Sequence, residues 1–202
     1  MSPGIFVIQE GGDLVEMAMQ PYETEDVLQK LLEDYPGVLA GEGRTSDRRF
    51  LLIKRELGVP DQAGAANRWR VDHVFVDNEA VPTFVETKLG ANTQIRREIV
   101  GQMLEYAANG LANWGTDSLR HIYEEKNGDS PEPLRELLGE ESDAEGFWER
   151  VRTNLEARKV RLVFVADDIP RELRALIEFL NEQMRTVEVL GLEVKQYAGE
   201  GG

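Results

Sequence analysis

A chain of 202 residues is long enough to bury one sizeable core. Charged residues make up 30% of it, and no apolar run approaches the roughly 20 residues that span a bilayer, which excludes a membrane-spanning helix. Cysteine is absent, so disulfides, thiolate catalysis and Cys-based zinc sites are excluded as well. The start, Met1-Ser2-Pro3-Gly4, has neither a basic cluster nor a long apolar stretch, and a cytoplasmic location is the expectation. The net charge is -15, but it is unevenly spread. Between Gly41 and Tyr106, 10 Lys and Arg face 10 Asp and Glu; the remainder holds 13 against 28. Exposed charges are screened beyond about 8 to 10 Å, so the balanced segment can still meet an anion.

In chain order, Ile5 to Gln9 and Leu14 to Gln20 are apolar runs around Glu10-Gly11-Gly12-Asp13, which predicts a β-hairpin. Thr24 caps a helix whose apolar positions are Val27, Leu28, Leu31, Leu32 and Tyr35, ended by Pro36-Gly37. Strands are expected over Arg49 to Glu56, Trp69 to Val76 and Thr83 to Lys88, with turn residues Asp77-Asn78-Glu79-Ala80 joining the last two. A helix capped by Asn92 or Thr93 then runs to about Asn109 and places Gln102 and Tyr106 one turn apart. From Thr116 to Arg158 the pattern is helical and acidic, with Ser142-Asp143-Ala144-Glu145 as a capping box. Arg161 to Ala166 reads as a buried strand, Pro170 to Met184 as an amphipathic helix, and Thr186 to Tyr197 as a bent or Gly-interrupted strand before a linker-like tail.

The expected architecture is α/β, a mixed central sheet flanked by helices, in one domain over 1–202. It divides into an N-terminal β-hairpin (1–22), a motif-bearing core (23–115), an acidic helical insertion (116–158) and a strand-helix-strand unit completing the sheet (159–197).

The most informative feature is the spacing of Asp72, Glu86, Lys88, Gln102 and Tyr106. Phosphodiesters resist attack because their oxygens repel a nucleophile and the alkoxide leaves poorly; a divalent metal answers both difficulties. Mg²⁺ takes hard oxygen ligands, usually one or two carboxylates with waters and substrate phosphate. Asp72 and Glu86 on adjacent strands supply that pair, and the Thr87 carbonyl can add a neutral ligand. Phe84, Glu86 and Lys88 share a strand face, so Lys88 can act as base or stabilise developing charge.

This arrangement resembles the PD-(D/E)xK nuclease superfamily, with Asp72, Glu86 and Lys88 in the motif positions and Val71 where a proline usually stands. Gln102-x-x-x-Tyr106 resembles its RecB-like branch, in which these residues line the site near substrate phosphate. The resemblance implies a restriction-endonuclease-like αβββαβ core, Mg²⁺ or Mn²⁺ as cofactor, and hydrolysis of DNA, with RNA left open, in repair or in defence against foreign DNA. It also implies a glutamate from the first helix in the metal site; Glu25, which shares a helical face with Leu28 and Leu32, is the best match and Glu33 the second.

Arg68, Arg70, Arg96 and Arg97 are candidate nucleic-acid contacts and equally ordinary surface charges. His73 points away from Asp72 and is expected as a satisfied core residue; His121 lies outside the motif. Trp69 and Trp114 are expected to pack rather than stack on bases. The alternative function is a catalytically silent binding or regulatory module of the same fold, acting through a protein partner. A homodimer, or a C-terminal domain or partner protein that delivers the substrate, is compatible with the acidic surroundings.

Overall fold

A computed structural model describes residues 5–41, 47–60, 67–90, 95–114, 117–128, 130–139 and 143–199, the side chains of 60, 67, 95–98, 112 and 113 excepted. Strands β1 (Ile5–Ile8) and β2 (Leu14–Gln20) precede helix α1 (Glu25–Asp34) and a short 3-10 turn at Pro36–Ala40. Strands β3 (Phe50–Pro60), β4 (Asn67–Asp77) and β5 (Pro82–Lys88) follow, then helices α2 (Ile95–Asn113), α3 (Ser118–Asn127), α4 (Glu132–Leu138) and α5 (Ala144–Glu156). The chain continues through β6 (Val160–Ala166), α6 (Arg171–Gln183), β7 (Val187–Glu193) and β8 (Gln196–Gly199). From α1 to β6, setting aside α3 to α5, the order is helix, three strands, helix, strand. That is the restriction-endonuclease-like core order expected from the sequence. Among the described residues no helix is long and apolar enough to cross a membrane.

The central sheet has the order β3-β4-β5-β6-β7. β3, β4 and β5 pair antiparallel, whereas β5, β6 and β7 pair parallel. Parallel strands are covered on both faces, and β6 is buried at every position. Alternation sends Val74, Val76, Phe84, Leu162 and Phe164 into one core with Met103, Leu119, Phe147 and Val151 from the helices. Phe75, Val85, Val163 and Val165 meet Leu28 and Leu32 of α1 on the other face. The end of α2 docks closely on the sheet. Trp114 leans over Phe84 at 5.6 Å between ring centroids and its Nε1–H donates to the Gly58 carbonyl at 3.3 Å. A Cβ on Gly110 would stand 3.0 Å from the Trp114 ring, so a bare backbone one turn earlier leaves the indole its room.

The far end of the β4-β5 hairpin is tied by buried charge. Asp77 accepts backbone N–H from Glu79 at 3.0 Å and Val81 at 2.8 Å, and Ala80 takes a positive φ of 63°. Its other oxygen accepts from Arg161 at 2.8 Å, and Arg161 also reaches Thr83 Oγ1 at 3.1 Å and Glu188 at 2.5 Å.

Several expectations change. Thr186 to Tyr197 is not a single strand: β7 closes the central sheet, while β8 crosses to pair antiparallel with β2 in a separate sheet ordered β1-β2-β8. The N-terminal hairpin is therefore two thirds of a three-stranded sheet, and Ala198 and Gly199 belong to a strand rather than to a loose tail. α2 runs to Asn113, a turn beyond Asn109, because Ala107, Leu111 and Trp114 still have the core to pack on. The α5 cap is Asp143, which accepts from Gly146 N at 2.9 Å; the Ser142 part of the predicted box lies outside the described residues, as do Asn92 and Thr93. Thr24 is the residue before α1 in extended geometry, without a side-chain capping bond.

Candidate active site

The β4-β5 ladder runs from Val76/Pro82 to His73/Val85 and ends there, although β4 keeps pairing with β3 as far as Asn67 and β5 with β6 as far as Lys88/Ala166. Beyond His73 and Val85 the two strands therefore part, each held from its outer side. Asp72 and Glu86, which would have formed the next pair, flank the opening.

A cavity of about 400 Å³ sits at this opening, lined by Glu25, Arg70, Asp72, Glu86, Lys88, Gln102 and Tyr106. They come from α1, β4, β5 and α2. Every one was singled out in the sequence, and the structure brings all seven to one place.

The gap leaves the Thr87 N–H without a strand partner on the β4 side, and it donates instead to Asp72 Oδ2 at 2.8 Å. The Thr87 hydroxyl donates to the same oxygen at 2.6 Å, a role the sequence did not suggest. In an extended strand N–H and C=O of one residue point to the same edge, so the Thr87 carbonyl also faces the Asp72 side. Thr87→Val keeps the shape and removes the hydroxyl donor. It is expected to cost about 1–2 kcal/mol in denaturant unfolding, since the bond is to a charged group.

Glu86 is 3% exposed, and among the described residues its buried Oε2 has no hydrogen-bond partner. Burial, then the Asp72 carboxylate, pushes its carboxyl up to about 8; Lys88 pulls the other way. Lys88 Nζ lies 3.3 Å from Glu86 Oε1 and 3.2 Å from Glu25 Oε2. Burial alone would lower this amine, but Glu86, Asp72 and Glu25 outweigh it and hold Lys88 above its ordinary value, as an ammonium. Tyr106 is driven upward by burial and then by Glu86 and Asp72, so it remains a phenol able to donate. Gln102, half-buried one turn earlier, lines the same wall.

Of the two glutamates considered for α1, Glu25 lines the cavity and bonds Lys88, while Glu33 lies 3.7 Å from Lys126 and 3.9 Å from Arg55. Glu25 Oε2 accepts from Lys88 Nζ at 3.2 Å, and among the described residues no three His, Cys, Asp or Glu side chains are grouped to cage a metal. Two carboxylates and a carbonyl nevertheless fit Mg²⁺, which keeps waters and substrate oxygens in its shell. The orphaned Glu86 oxygen is the observation that fits a cation there: a buried acceptor without a donor is costly unless something positive meets it.

The four arginines separate. Arg70 lines the cavity and pairs with Glu56 at 3.2 Å, both well exposed. Arg68 sits over the Trp69 ring at 5.0 Å. The side chains of Arg96 and Arg97 lie outside the described residues.

His73 is on the face away from Asp72, as expected, but it is not well satisfied: among the described residues neither ring nitrogen makes a well-formed hydrogen bond, the Gln29 backbone is only a weak partner, and the ring stacks on Phe75 at 5.6 Å. Burial holds it down at about 4, against the pull of Asp72. His121 pairs with Glu125 on the surface of α3, 3.3 Å away.

No family model and no curated protein matches this chain. Among solved structures it is similar to the crystal structure of a repair endonuclease from Pyrococcus abyssi, with 14% identity and a TM-score of 0.43. The match covers 95% of this chain and 65% of that one, so the chain spans just under two thirds of its length.

Proposed function

We propose that the protein is a divalent-metal-dependent nuclease that hydrolyses phosphodiester bonds in DNA. The observation that carries this reading is the convergence of seven residues from four elements on one cavity, with a buried, unpartnered carboxylate oxygen of Glu86 at its wall. Asp72, Glu86 and the Thr87 carbonyl would hold Mg²⁺ or Mn²⁺. When bound, the metal acidifies a coordinated water and neutralises charge that develops on the phosphate.

The chain's own groups do the rest. The Lys88 ammonium, kept in place by Glu86 and Glu25, presents positive charge to the phosphoryl oxygens. As an ammonium it would stabilise charge; its alternative role is that of the base. Gln102 and Tyr106 donate to the phosphate and fix its orientation. Arg70 can leave Glu56 for a phosphate oxygen, because an exposed ion pair is worth only about 0–1 kcal/mol. Arg68, Arg96 and Arg97 extend the backbone contacts. Since the net negative charge lies outside residues 41–106, a partner protein or further domain that delivers DNA completes the proposal.

The test is cleavage of plasmid DNA in Mg²⁺ or Mn²⁺ by the wild type and by Asp72→Asn, Glu86→Gln and Lys88→Met. Loss in all three supports the reading, with Lys88→Met down by about 10²–10³-fold. Equal cleavage by all four proteins would expose a contaminant and overturn it. Absence of Asp72-dependent Mn²⁺ binding by calorimetry, even with DNA present, would favour the silent module.

A further inference from the structure

Beyond Val85, β5 has lost β4 as a neighbour, so Glu86 and Lys88 are carried on a strand paired along one side only. The last rung on that side joins Lys88 to Ala166. What fixes Lys88 after that rung lies two residues further along the chain. The Gly90 N–H donates to Asp167 Oδ1 at 2.5 Å. The contact is close: a Cβ on Gly90 would stand 3.1 Å from Asp167 Oδ1, from Asp168 Cβ and from the Asp168 carbonyl oxygen.

The surface on which Gly90 rests is itself anchored. The Ala166 carbonyl accepts from Val194 N at 2.8 Å, and Ile169 N donates to Glu193 Oε1 at 3.0 Å. Glu193 is in turn 3.5 Å from Arg174 of α6. The turn at Asp167-Asp168 is thus pinned on both sides by the end of β7, and it offers β5 a fixed point where its own ladder has stopped.

We propose that Asp167 is a positioning residue for this site: its carboxylate clamps the backbone just after Lys88 and so aims the ammonium between Glu25 and Glu86. This rests on the nuclease reading given above. Asp167 does not line the cavity and touches none of the residues that would meet substrate. It acts through Leu89 and Gly90, the two residues that follow Lys88.

Three variants separate the clamp from a charge effect: Asp167→Ala removes the acceptor, Asp167→Asn keeps one, and Asp168→Asn removes a neighbouring charge without touching the bond. Asp167→Ala is expected to lower kcat about ten- to a hundredfold with KM within about twofold, because small misplacements of a reacting group cost that much. Asp167→Asn should recover most of the loss, and Asp168→Asn should match the wild type. A wild-type kcat for Asp167→Ala, a loss in KM instead of kcat, or the same loss in Asp168→Asn would each overturn the proposal. Hydrogen exchange of the Gly90 amide is read in parallel. Protection should fall in Asp167→Ala and persist in the other two, and equal protection in all would dispose of the clamp whatever the activity. If the wild type neither binds Mn²⁺ nor cuts DNA while the exchange pattern holds, the nuclease reading fails and the catalytic purpose of the clamp fails with it, the bond itself standing.

Discussion

Glu86→Gln is expected to abolish cleavage and at the same time to stabilise the metal-free protein at pH 8. The Glu86 carboxyl is held up to about 8 by burial and then by Asp72, whereas an unfolded chain releases that proton near about 4.3. Between those values the native state keeps a proton that the unfolded state has lost, so stability falls as pH rises. From pH 5 to pH 8 this group alone removes about 2–4 kcal/mol, against which His73, held down at about 4, adds stability as pH rises to its ordinary value near 6.5. Lys88 does not reverse the sign. Its raised value contributes stability that is fully present throughout this window and is lost only above the ordinary lysine range. A glutamine cannot titrate, so its profile should lack the fall and should rise with His73 from pH 5 to about 6.5, and its Tm at pH 8 should be higher than that of the wild type by about 5–10 °C. Added Mg²⁺ acts against the proton. It should raise the wild-type Tm more at pH 8 than at pH 5.5 and leave the glutamine variant unmoved. Parallel pH profiles for the two proteins in thermal melts would refute the account of Glu86.

Arg161→Met should produce the largest loss of stability from a single polar residue. Arg161 is 3% exposed and Asp77 wholly buried, and the guanidinium is shared by Asp77, Thr83 and Glu188. Arg48 stands farther off, 3.9 Å from Asp77 and 3.7 Å from Glu188, so it compensates the charge only in part. Removing Arg161 strips a buried carboxylate of its close partner, which costs about 3–5 kcal/mol. For a chain of this size that lowers Tm by about 10 °C. Asp77→Asn in the same background should recover part of the loss, because it removes the stranded charge while still accepting from Glu79 and Val81. A melt within 2 °C of wild type, on the order of 1 kcal/mol, would show that the network contributes little.

These two sites differ in how readable they are from sequence. Asp72, Glu86 and Lys88 lie on one short hairpin, and strand alternation with a helical repeat at Gln102 and Tyr106 is enough to bring them to one side. Glu25 was readable only as the better of two candidates, because a helix face does not say which of its turns reaches the end of β5. The pairing of Asp77 with Arg161 spans 84 residues, and no local pattern announces it. β8 was missed for a similar reason. Gln196 to Gly199 is too short to read as a strand alone, and its partner, β2, lies at the other end of the chain. Thr87 was valued for its carbonyl; its hydroxyl matters because the ladder stops one residue pair earlier, which only the pairing of β3 and β6 on the outer sides determines.

The turn at Asp77 to Pro82 lies at the opposite end of the hairpin from the cavity, yet it sets which way the acids face. Side chains alternate with a period of two, so adding or deleting one residue there would carry Glu86 and Lys88 round to the α1 face and bring Val85 and Thr87 into the opening. Asp77, Ala80 and Arg161 hold the count at the one value that works. Loop length at that distant end therefore decides which side chains line the cavity, and the hairpin should tolerate exchange of residues there far better than any change in their number.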